Sequence, residues 1–131
     1  WNDLHTYYSM SDIFTTVSLS EMHSMTVLEA LLSGLPVVTR SDSSYFDTVI
    51  PGENGYRADS DVEAERYLAE LILDKDKRKQ FGERSKEIAR RFTIETHAKK
   101  TLAFYQTVID TYPRPLDEKT LFKAVNAVDP S

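Results

Sequence analysis

The apolar positions of this chain change rhythm along its length. Short β-branched and aromatic runs alternate with helical segments at first, and helical spacing takes over later. Leu4 to Met10 has the spacing of a helix, and Ile13 to Val17 follows as a run suited to a buried strand. Ser24 predicts the N-cap of a helix through Leu32, which Gly34 and Pro36 stop. Leu35 to Thr39 then reads as a second parallel strand, Arg40 to Ser44 as a polar turn, and Tyr45 to Ile50 as one helical turn. The pair Asn54-Gly55 signals a turn before a third short strand around Tyr56.

The later half is helical. Ser60 with Glu63 forms a capping box ahead of a helix to Leu73, with Val62, Tyr67, Leu68, Leu71 and Ile72 as its apolar face. A second helix, about Lys75 to Phe92, carries Phe81, Ile88 and Phe92. Thr93 caps a third, through about Thr111, whose stripe is Ile94, His97, Leu102, Phe104, Tyr105 and Val108 until Pro113 and Pro115 end it. The tail Leu116 to Ser131 is expected to add a loose helical turn around Leu121, Phe122 and Val125. The pattern predicts an α/β chain with a partial Rossmann-like parallel sheet, of three strands, followed by C-terminal helices.

Composition limits the chemistry. With 131 residues, 40% apolar and 28% charged, the chain fits one globular domain at most. A net charge of -5 supplies no general field for nucleic acid or anionic lipid, so any acidic ligand must be held by local donors. The basic stretch from Lys75 to Phe92 is interspersed with acids and reads as a solvated helical face. The absence of cysteine excludes disulfides and thiolate metal sites, and His97, with no second ligand at metal spacing, is expected to pack. No apolar run approaches the ~20 residues that span a bilayer. The chain opens on Trp1 with helical spacing already under way, so it is expected to be a fragment of a longer protein.

The candidate chemistry lies between Ser18 and Val38. A loop between a parallel strand and a helix falls at the carboxyl edge of the sheet, where such folds bind ligands, and the amides opening the helix are donors for an anion. Glu21 follows the strand and precedes the helix N-terminus, which puts its carboxylate in that crevice. Glu29 sits in an otherwise apolar helix, between Leu28 and Ala30. A buried carboxylate there needs hydrogen bonds, which the vicinal hydroxyls of a ribose would supply, and the other reading is a partly exposed helix glutamate. The separation of eight carries no weight alone, since about one such glutamate pair is expected by chance in a chain this long. Ser24 has a sufficient role as N-cap, and Met25, Val27 and Leu28 are expected to pack, with the amide of Met25 the group of functional interest. Thr26 is open, and His23 is either a solvated or packing residue or a donor to a sugar hydroxyl or phosphate.

The segment SLSEMHSMTVLEALLSGLPVV resembles the E-x7-E region of retaining, GT-B-fold glycosyltransferases of the GT4 type, with Glu21 and Glu29 as the two acids. YYSMSDIFTTVSLS looks like the helix and strand that precede that motif, and VIPGENGYRAD like the segment that closes the nucleotide site. The resemblance covers Trp1 to about Tyr112 and implies the second half of the nucleotide-sugar-binding C-terminal domain, with residues 113–131 as a tail. It implies that Glu21 is catalytic and sits at the donor sugar hydroxyls. It further implies that the amides from Met22 to Thr26, with His23 and Ser24 among them, hold sugar and diphosphate, and that Glu29 holds the ribose. One departure stands inside the motif: many relatives have Gly-Phe-Gly where this chain has Met22, His23 and Ser24.

What the resemblance implies for function is transfer of a hexose from a nucleoside-diphosphate sugar to a hydroxyl acceptor, with no metal and no cofactor. Bacterial enzymes that glucosylate diacylglycerol or build cell-surface polymers are loosely similar. The expected location is the cytoplasm, with a peripheral place at the inner face of the membrane left open. The groups that clamp the pyrophosphate precede Trp1 in the family, so this chain alone is expected to be inactive. The missing N-terminal part of the protein, or another chain, is expected to cover the strand Ile13 to Val17. A non-catalytic α/β binding or interaction module that kept the scaffold is the alternative, and the altered loop at Met22 to Ser24 is its sequence hint.

Overall fold

The structure, a computed structural model, describes residues 3–19, 21–112 and 119; the expected tail helix lies outside the described residues. The chain divides into two compact units, Trp1–Ala89 and Arg90–Ser131.

In the first unit α1 (Leu4–Met10) leads into β1 (Phe14–Thr16), α2 (Met25–Leu32) and β2 (Val37–Arg40). A short 3-10 turn (Ser43–Tyr45), β3 (Gly55–Ala58), α3 (Asp61–Leu73) and α4 (Lys75–Ala89) complete it. The three strands are parallel, in the order β1-β2-β3, with Phe14 beside Val37 and Val37 beside Gly55. Parallel neighbours require a crossover, and α2 is the one between β1 and β2. The expected one-turn helix at Tyr45 to Ile50 begins two residues earlier, because Asp42 caps it by accepting the amide of Ser44 at 2.9 Å.

Local rules account for most element ends. Ser24, Ser60 and Thr93 each accept a first-turn amide of their helix. At the far end of α2, Gly34 adopts φ +77, its amide bonds to the carbonyl of Leu31, and the amide of Leu35 bonds to that of Ala30. That pair of bonds is a Schellman stop, and it takes Leu35 out of the second strand, which therefore starts at Val37. Val38 forms the core with Leu71 and Phe81, while Tyr56 stacks on Tyr67 at 4.2 Å and meets Phe81 edge-on. Full burial of an apolar side chain such as Val38, Leu71 or Phe81 contributes about 1.5–3 kcal/mol. From α4, the Ser85 hydroxyl donates to the Leu35 carbonyl at 2.7 Å, and a Cβ on Gly82 would lie 2.2 Å from the Gly34 carbonyl oxygen.

Several expected faces are corrected by what covers them. β1 is shorter than Ile13 to Val17 and is not buried: it pairs with β2, α3 lies over β2 and β3, and Thr15 and Val17 stay exposed. On α3, Leu71 is buried and Tyr67 and Leu68 half-buried, but Val62 and Ile72 point to solvent. The second helix ends at Ala89, and Phe92 belongs to a separate 3-10 turn, Arg90–Phe92. Most basic residues of α4 are exposed, and several are paired with acids, Arg84 with both Glu53 and Glu87.

The second unit holds α5 (Ile94–Thr111). Its stripe is far less covered than its spacing predicts: Ile94, Leu102 and Tyr105 are exposed, and Phe104 and Val108 half-buried. His97 is exposed and does not pack as expected. Among the described residues no helix is long and apolar enough to cross a membrane.

Candidate functional site

Glu29 is the best-defined polar side chain of the expected site. One turn into α2 it is half-buried, and the phenol of Tyr8 donates to its Oε2 at 2.9 Å. Burial, then the hydrogen bond to Glu29 and that residue's charge, push the Tyr8 phenol up to about 12, so it remains a donor at any physiological pH. The same hydroxyl lies 3.4 Å from the Thr26 carbonyl. A cavity of about 350 Å³ opens beside this pair, lined by Leu4, His5, Tyr8, Glu29, Leu32 and Ser33. Glu29 is thus partly exposed on its helix, as the second reading has it, and it carries a hydrogen bond from another element.

Glu21 is exposed in the loop between β1 and α2. That loop is held from the next one: the buried Tyr45 donates its phenolic proton to the Ser18 carbonyl at 3.2 Å. The Tyr45 phenol titrates above its ordinary range, first because it is buried and next because the charge of Glu21 acts on it. Glu21 and Tyr45 are therefore within electrostatic reach of each other at the carboxyl ends of β1 and β2.

The start of α2 separates into a fixed part and an open part. Ser24 is buried, accepts the Val27 amide and pairs with the Thr26 hydroxyl at 3.0 Å. Val27 and Leu28 are buried as expected, but Met25 is 64% exposed and does not pack, since it lies on the outer side of a turn whose inner side is taken by Val27 and Leu28. Met22, at 97% exposure, His23 and Thr26 also face solvent. Of the first-turn amides of this eight-residue helix, that of Val27 is taken by Ser24, and helix geometry gives those of Met25 and Thr26 no intrahelical partner, which leaves these two as donors at this end. Among the described residues no group of three His, Cys, Asp or Glu is arranged to hold a metal ion.

A parallel βαβ unit with an acid in its first loop and a second acid, hydrogen-bonded, on the crossover helix is one observation; a sequence match is the deciding one. Residues 1–88 match the family described as Glycosyl transferases group 1. The chain belongs to that family. This glycosyl transferase chain is 25% identical over 113 residues to the alpha-monoglucosyldiacylglycerol synthase of Acholeplasma laidlawii, covering 86% of the chain and 28% of the relative. It is 27% identical over 101 residues to the trehalose synthase of Pyrococcus horikoshii, covering 76% of the chain and 24% of that relative. The chain spans about a quarter of the length of these relatives.

Two residues of the candidate site escape a reading of the sequence. Tyr8 looks like an ordinary apolar position of α1, and only the 21-residue reach to Glu29 gives its hydroxyl a role. Tyr45 looks like part of a turn, yet it anchors the loop of Glu21. Spacing gives no signal for either contact, because both join different elements.

Proposed function

We propose that this chain is the donor-binding part of a GT4-type retaining glycosyltransferase, in which a hexose passes from a nucleoside diphosphate to a hydroxyl acceptor. Glu21 acts at the donor sugar hydroxyls, the amides from Met22 to Thr26 receive the sugar and diphosphate, and Glu29 accepts the ribose hydroxyls. These are the two acids of the E-x7-E motif. The observation that carries the reading is the Glu29 carboxylate, half-buried, already hydrogen-bonded and beside a cavity. Backbone donors and a helix N-terminus suit a diphosphate leaving group without a metal, since their partial charges are fixed before the reaction begins.

The acceptor class we assign is a lipid or a growing cell-surface polysaccharide, in keeping with the relative named for monoglucosyldiacylglycerol. The proposed location is the cytoplasm, at or near the inner face of the membrane. The rest of the same protein is the partner we assign to the exposed side of β1, and the 131-residue chain alone is expected to turn over no donor. Titration calorimetry of the full-length protein with UDP, GDP and ADP tests the reading. A measurable affinity for one of them that Glu29→Ala removes supports it. No binding of any of the three would overturn it in favour of a non-catalytic module, which the exposed Met22 loop would suit.

A further inference from the structure

We infer that Tyr8 is a positioning residue for nucleotide recognition, holding Glu29 in the one orientation that reads a ribose. The inference rests on the ribose role proposed for Glu29 and goes one step past it, to the residue that fixes the reader.

A glutamate has three rotatable bonds, and a carboxylate that must find its geometry when ligand arrives loses that freedom at the cost of affinity. Here the freedom is removed beforehand. The Tyr8 ring is buried and lies 6.1 Å from the Phe14 ring of β1, so the phenol itself is fixed by the strand next to the site. Its proton goes to Oε2 of Glu29 at 2.9 Å, with the Thr26 carbonyl at 3.4 Å one turn earlier on the same helix. A carboxylate accepts about four hydrogen bonds, so the bond from Tyr8 leaves capacity for two vicinal hydroxyls. The phenol therefore orients the carboxylate without occupying it, and Tyr8 and Glu29 both line the same cavity. Rigid support of this kind sharpens discrimination between a ligand with both hydroxyls and one that lacks either.

The test uses the full-length protein and whichever of UDP, GDP or ADP it binds, compared with the 2′-deoxy form of that nucleotide. In Tyr8→Phe the preference for the ribonucleotide is expected to fall about tenfold, with the melting transition still above the assay temperature. In a Glu29→Gln background the same change is expected to alter the preference by no more than about twofold, since the two groups act as a unit. If Tyr8→Phe melts too low, 4-methylphenylalanine at position 8 fills the hydroxyl's space without a donor, and the same fall is expected. Full retention of the preference in either variant, while Glu29→Ala still abolishes binding, overturns this inference and leaves the ribose role intact. Unchanged binding in Glu29→Ala overturns the ribose role itself.

Discussion

Asn54 accepts the Ile50 amide on its side-chain Oδ1 at 2.8 Å and so closes the turn that precedes β3 from the inside. Its Nδ2 donates to the Thr48 carbonyl at 2.9 Å, its own carbonyl accepts the Val37 amide at 3.1 Å, and the residue has no exposed surface. Asn54→Ala leaves the part-buried Ile50 amide and the buried Thr48 carbonyl without these partners. A loss of about 2–3 kcal/mol in stability is expected, read from chemical denaturation of the full-length protein. A loss under about 0.5 kcal/mol would mean that water replaces both bonds.

Gly82 offers a second check on packing. Alanine favours a helix interior over glycine by about 1 kcal/mol, so on an open helix Gly82→Ala would stabilise. Here the added methyl would meet the backbone carbonyl of Gly34 at 2.2 Å. The expected outcome is net destabilisation by about 1–3 kcal/mol, measured as a lower melting temperature.

A pH dependence follows from Glu70, which accepts from Lys77 and from the Tyr56 phenol at 2.6 Å. Those two hydrogen bonds, from Lys77 first, hold its carboxyl below its ordinary 4.5. A depressed carboxylate contributes stability above its unfolded value and loses it as pH falls through the folded value. Acid unfolding below about pH 4.5 should therefore be less steep in Glu70→Gln than in the parent. Lys77 is raised for the same reason, so its share persists at neutral pH and disappears only as pH rises through its folded value. The pair is partly exposed, and added salt should shrink the difference.

The role proposed for Glu21 separates from that of Glu29 in kinetics. Glu21→Gln is expected to lower kcat by about 100-fold or more while nucleoside diphosphate affinity stays within about threefold, because the contact is made to the sugar. Initial rates with varied donor, alongside calorimetry with the free nucleotide, measure both. Equal losses in the two would place Glu21 on the nucleotide instead.

The alternation of strand and helix could be read from the sequence because its causes are local. Ser24, Ser60 and Thr93 cap the helices they precede, and Gly34 stops α2. Which apolar residues end up covered could not be read so directly. Val62, Ile72, Ile94 and Leu102 have the right spacing, but spacing describes a face and not its partner. Of the candidate site, the loop and the two acids stood out, whereas Tyr8 and Tyr45 did not. Their contacts span 21 and 27 residues, and such reach is a property of the tertiary fold.

The hydrogen bond from Ser85 to the Leu35 carbonyl crosses 50 residues of chain and has a consequence during synthesis. At roughly 5–20 residues per second, β2 leaves the ribosome roughly 3–10 s before the helix that closes its entrance. For that interval the turn at Gly34 has no cover from α4, and a chain arrested before Gly82 would keep it bare. Nascent chains stalled with residue 85 still inside the ribosome and with it well outside should differ sharply in resistance to protease at this turn.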